Sequence, residues 1–80
     1  MAKEIDYSKI GLRISSLRKK AGLTQEVLAA RCGCTSNHLS NVEVGKCKPS
    51  LDLVIRLATE LNSSVDYFLM DTPHASCQYL

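Results

Sequence analysis

Apolar residues recur at helical spacing in five stretches of the chain. Ile10, Ile14, Leu17 and Ala21 lie three or four apart, with Ser8, Lys9, Arg13, Ser16 and Lys20 on the other faces, which predicts a helix over residues 7–21 stopped by Gly22. Thr24 is placed to cap a second helix, its hydroxyl accepting from the first free amides, and Glu26 in the first turn suits the positive end of the helix dipole. That helix ends at Gly33. Thr35 caps a third helix running to Glu43, and Gly45 terminates it. Residues 44–49 form a basic loop. Ser50, after Pro49, caps a fourth helix whose expected buried stripe is Leu51, Val54, Leu57, Ala58 and Leu61. After the Asn62-Ser63-Ser64 turn, Ser64 caps a short fifth helix over residues 65–69, whose Val65, Phe68 and Leu69 close the core. Beyond Met70 the periodicity fades, and Asp71-Thr72-Pro73 breaks the helix.

The middle of this pattern, residues 24–43, is two short helices joined by a glycine turn. A glycine takes positive φ without a Cβ clash, so Gly33 can end one helix and redirect the chain within a few residues. Ala29 is small where the following helix must cross closely. Leu39 and Val42 fall on one face, able to pack onto Leu28 and Cys32, which leaves Ser36, Asn37, Ser40 and Asn41 outward. This is a helix-turn-helix, and its expected ligand is DNA.

Eighty residues make one small domain, burying roughly 60% of its unfolded surface. So thin a core would gain from dimerisation. A net charge of +2 does not by itself single out nucleic acid, but its distribution is uneven. Arg13, Arg18, Lys19 and Lys20 cluster on the first helix and Lys46 and Lys48 lie in the loop, whereas Glu60, Asp66 and Asp71 collect toward the C-terminus. The opening residues carry no apolar signal core, and the longest apolar runs, residues 27–30 and 67–70, fall far short of the ~20 needed to span a bilayer. A cytoplasmic protein with no membrane partner is expected. Without a secretory signal, Cys32, Cys34, Cys47 and Cys77 do not form a disulfide framework.

Cys32, Cys34, His38 and Cys47 raise the question of a metal sensor, but structural zinc pairs have two to four residues between ligands, and Cys32 falls at an inward position. No metal is therefore assigned, and Cys34, Cys47 and Cys77 are the candidates for a reactive thiol. The chain has no nucleophile-base-acid set, no Gly-rich phosphate loop and no HExxH, and His38 and His74 have no evident carboxylate partner. Catalysis is not expected and no cofactor is implied.

The residues resemble the Xre, or lambda Cro/C1-type, helix-turn-helix regulators over residues 7–70. The likeness rests on Ile14 with Leu17-Arg18, on Gly22-Leu23-Thr24-Gln25-Glu26, on Leu28-Ala29 and Gly33, and on Leu39-Ser40-Asn41-Val42-Glu43 with Gly45-Lys46. Pro49-Ser50-Leu51, Leu57-Ala58, Leu61 and residues 64–69 complete it. It implies an all-α, five-helix, lambda-repressor-like domain flanked by an N-terminal arm (1–6) and a C-terminal tail (71–80). The domain would bind a pseudo-palindromic operator in double-stranded DNA as a homodimer, most simply as a repressor, with the third helix in the major groove.

The resemblance also assigns roles. Ser36, Asn37 and Asn41 occupy the main base-reading positions, with Thr35, His38 and Ser40 at their edge. Gln25, at the start of the second helix, matches a glutamine that touches phosphate and can brace a base-reading side chain, and Thr24, Lys46 and Lys48 would also meet phosphate. Arg18 and Glu43 match a structural ion pair. Tyr67 and Met70, exposed parts of the terminal apolar cluster, are candidates for the dimer contact, with Phe68 inside. Arginine, lysine and glutamine are common on the family's recognition helices and absent from residues 36–41 here, so guanine readout by arginine is not expected from this helix. The alternative to a DNA regulator is an antitoxin or protein-binding module on the same fold, although an antitoxin would usually carry a longer partner-binding segment than residues 74–80. No pocket for a small-molecule effector is legible.

Overall fold

Helix starts in this chain are set by side chains that accept from the free amides of the first turn. In the computed structural model, which describes residues 6–68, the helices are α1 (Tyr7–Lys20), α2 (Gln25–Cys32), α3 (Ser36–Glu43), α4 (Leu51–Glu60) and α5 (Val65–Phe68). Thr24 Oγ1 accepts from Val27 N at 3.1 Å, Thr35 Oγ1 from His38 N at 3.0 Å, and Ser50 Oγ from Leu53 N at 3.1 Å. Ser64 does the same for Tyr67 N at 3.2 Å. Asp6, assigned from the sequence to the arm, is the N-cap of α1, its Oδ1 accepting from Ser8 N and Lys9 N. Each such cap contributes about 0.5–2 kcal/mol.

Between α2 and α3, Gly33 has φ +75°, and Cys34 N donates back to the Ala29 carbonyl at 3.0 Å. The two helices are thereby turned against each other, with Ala29 and Leu39 both buried in the crossing. α1 packs on α3, α2 on α3 and α4, and α5 on α1 and α4. Ile14, Leu28, Leu39, Leu57 and Phe68 are fully enclosed at the centre.

Two expected core positions face solvent. Leu51 is 71% exposed, and Leu53 is buried in its stead. α4 packs on both α2 and α5, so its buried sector extends to the side of Leu53. Leu51, the first residue after the cap, projects from the helix end and falls outside that sector. Ala21 is the C-cap of α1 and exposed, because the chain leaves the helix before that face meets a partner.

α1 runs close against the end of α3. A Cβ on buried Gly11 would overlap the carbonyl oxygens of Val42 and Glu43. Among the described residues no helix is long and apolar enough to cross a membrane.

Candidate nucleic-acid interface

α3 divides cleanly by side. Leu39 and Val42 are buried against the α1 and α2 layers, and they fix the rotation of the helix about its axis. The remaining positions form an uncharged polar surface: Asn37 is exposed, while Ser36, His38, Ser40 and Asn41 are half-buried. Thr35 is exposed, with its hydroxyl engaged as the α3 cap. The one charged side chain of α3, Glu43, turns inward and is buried.

The loop after α3 is fastened to the helix it follows. Lys46 N and Cys47 N both donate to the Asn41 carbonyl, at 2.9 and 3.3 Å. Lys46 and Lys48 in this loop are exposed. Thr24 is exposed, its hydroxyl occupied by Val27 N, and Gln25 is half-buried in the first turn of α2.

Behind this surface a small polar cluster joins three elements. Arg18 Nε donates to Glu43 Oε2 at 2.8 Å and Nη2 to Oε1 at 3.3 Å, while Nη1 donates to the Leu23 carbonyl at 2.9 Å. The side chains are only 11% and 4% exposed. Gln25 Nε2 donates to Glu43 Oε1 at 2.9 Å. This last bond has no signal in the sequence, since it spans 18 positions and Gln25 by itself reads as a surface residue. Arg13, grouped from the sequence with the basic cluster, ties α1 to α5: Nη1 lies 3.5 Å from the Phe68 carbonyl, and the guanidinium sits 5.8 Å from the Tyr67 ring centroid. Tyr67 is half-buried and meets Phe68 edge-on, with centroids 5.9 Å apart. Met70, His74 and Cys77 lie outside the described residues.

Cys32 is buried, Cys34 and Cys47 are half-buried, and all three thiols are free. Burial pushes the Cys32 thiol up, with neighbouring Cys34 and Glu60 adding to the effect and Arg56 opposing it; burial also raises Cys34. Both therefore hold their protons at neutral pH. Among the described residues no three His, Cys, Asp or Glu side chains gather into a group that could hold a metal ion.

Residues 14–68 match the HTH_3 helix-turn-helix family. The chain belongs to that family. These are the Xre, or lambda Cro/C1-type, proteins that the motif resembles, and a family of regulators rather than of enzymes. The HTH-type transcriptional regulator ImmR of Bacillus subtilis is 37% identical over 60 residues, which cover 75% of this chain and 47% of ImmR. The chain thus spans about half the length of that relative. Among solved structures, the restriction-modification controller protein C.AhdI of Aeromonas hydrophila superposes with a TM-score of 0.76 at 34% identity, covering 81% of this chain and 98% of that one. The P22 c2 repressor in complex with a synthetic operator gives 0.71 at 29% identity, covering 74% and 89%. The five-helix, lambda-repressor-like fold is shared with these neighbours.

Proposed function

We propose that this chain is a transcriptional regulator that binds operator DNA through α3 and acts as a repressor by occluding a promoter. The observation that carries this reading is the two-sidedness of α3: Leu39 and Val42 anchor it, while its other side is polar and partly to fully accessible, and the loop that follows carries exposed Lys46 and Lys48. A relative of the same fold, the P22 c2 repressor, is solved with an operator bound.

The chemistry supports specific roles. Asn37 and Asn41 each offer a donor and an acceptor that pair with adenine N6 and N7, giving roughly 1–3 kcal/mol of discrimination per bidentate contact. Ser36 is less selective, and Thr35, His38 and Ser40 border the set. Lys46, Lys48, Thr24 and Gln25 meet phosphate and set register without reading sequence. A homodimer, joined through Tyr67 and Met70, reads a pseudo-palindromic site on successive major grooves ~34 Å apart. The protein works in the cytoplasm, where operator DNA is accessible.

Selection from a random duplex library at near-physiological salt tests this. An enriched inverted repeat with half-site centres about 10–10.5 bp apart is the expected result. If the folded protein enriches no sequence, the reading fails in favour of a protein-binding role.

A further inference from the structure

Glu43 is the only buried charged residue among those described, and its carboxylate does more than hold Arg18. Oε2 takes Arg18 Nε; Oε1 takes both Arg18 Nη2 and Gln25 Nε2. A carboxylate only accepts hydrogen bonds, so it admits the amide of Gln25 in a single orientation, nitrogen inward toward Glu43. Nε2 has two hydrogens. With one on Oε1, the second is fixed in the amide plane, on a side chain that is half-buried at the first turn of α2. Phosphate oxygens are likewise acceptors only. The second N–H on Nε2 is then the donor the group has left, and a phosphate oxygen that reaches Nε2 meets a hydrogen rather than a carbonyl lone pair. Arg18 balances the carboxylate's charge, which would otherwise repel the same phosphate.

We propose that Glu43 is a positioning residue for DNA binding: through its hydrogen bond to Gln25 it locks the Gln25 amide in the orientation that donates to a backbone phosphate. This inference rests on the DNA-binding reading above. In Glu43→Gln the residue at 43 can either accept from or donate to Gln25, so both orientations of the Gln25 amide become available and the lock is lost.

The test is a double-mutant cycle on duplex binding, with each variant first shown to be folded by circular dichroism. Gln25→Ala is expected to weaken binding about tenfold, the loss of one hydrogen bond to a charged group. Glu43→Gln also uncovers the Arg18 charge, an effect common to both backgrounds, so the readout is the coupling: relative to its effect in the Gln25→Ala background, Glu43→Gln should weaken binding several-fold in the wild-type background, which a role limited to fold stability does not produce. Additive effects of the two substitutions overturn the proposal. Nuclear magnetic resonance on the wild-type protein without DNA gives a second readout that needs no Glu43 variant. One Gln25 side-chain amide proton should be protected from solvent exchange and the group motionally restricted; two fast-exchanging protons overturn the lock. If the wild-type protein binds no duplex at all, the DNA reading itself fails, and the protection measurement separates that failure from the absence of the lock.

Discussion

Arg18 and Glu43 form a two-pronged ion pair across the contact of α1 with the end of α3, with Nε to Oε2 at 2.8 Å and Nη2 to Oε1 at 3.3 Å. The pair carries a mutational signature set by its burial. Removing one partner leaves the other charge in a poorly hydrated place, which costs about 3–5 kcal/mol. Arg18→Met or Glu43→Ala should therefore lower the urea midpoint severely, against a total stability of about 5–15 kcal/mol for a typical protein. An exposed pair gives a contrast: Arg56 and Asp52 on α4 are 3.1 Å apart with side chains 54% and 78% exposed, and Arg56→Ala should change stability by less than about 1 kcal/mol. Equal losses at the two pairs would contradict the assignment.

Gly11 is the second place where α1 and α3 depend on each other. Alanine in a helix interior gains about 1 kcal/mol over glycine from propensity alone. Here the added Cβ would overlap the Val42 and Glu43 carbonyl oxygens, and overpacking costs typically 1–3 kcal/mol. Backbone atoms at the end of a packed helix yield less readily than a side-chain tip, so steric cost wins. Gly11→Ala should lower the melting temperature by several degrees; a rise would show that α3 can move away freely.

What was legible in the sequence followed from interactions that are local. Thr24, Thr35, Ser50 and Ser64 each reach an amide three residues ahead, so the cap and its helix are encoded together. The turn at Gly33 is equally local. Leu51 was misassigned because periodicity gives a helix face but not the width of the sector its partners cover. The need for glycine at position 11 has no local signal, since the carbonyls it accommodates lie more than thirty residues onward. The Gln25 and Arg13 hydrogen bonds were hidden for the same reason, spanning 18 and 55 positions.

The two raised thiols give a stability change at alkaline pH. Cys32 and Cys34 ionise less readily in the folded chain because burial disfavours the thiolate, so the folded state holds protons that the unfolded state begins to lose near pH 8.5. A raised folded pKa contributes stability that is complete below the unfolded pKa and is lost as pH rises toward the folded value. Denaturation midpoints should fall as pH rises above about 8, less steeply in Cys32→Ala. A flat profile, or the same slope in both proteins, would remove the thiols as the cause. Iodoacetamide should modify Cys32 far more slowly in the native protein than in denaturant.

The proposed base-reading and phosphate-binding roles are tested most directly at Asn41 and Lys46, which are neighbours through the main chain: Lys46 N donates to the Asn41 carbonyl at 2.9 Å. That bond needs neither side chain, so alanine at either position keeps the loop attached to α3 and isolates what the side chain contributes. If Asn41 reads a base as proposed, losing its amide should relax preference at one base position while the salt dependence of binding stays as it was. Lys46 lies in the loop after the helix and carries a charge. Lys46→Ala should weaken binding to every duplex alike and lower the slope of log affinity against log salt by ~1. Binding titrations of both variants on matched and singly altered operators at several salt concentrations decide it. If the two variants lose affinity equally on every sequence, α3 does not read bases through Asn41, and the polar face of the helix is then a docking surface of another kind.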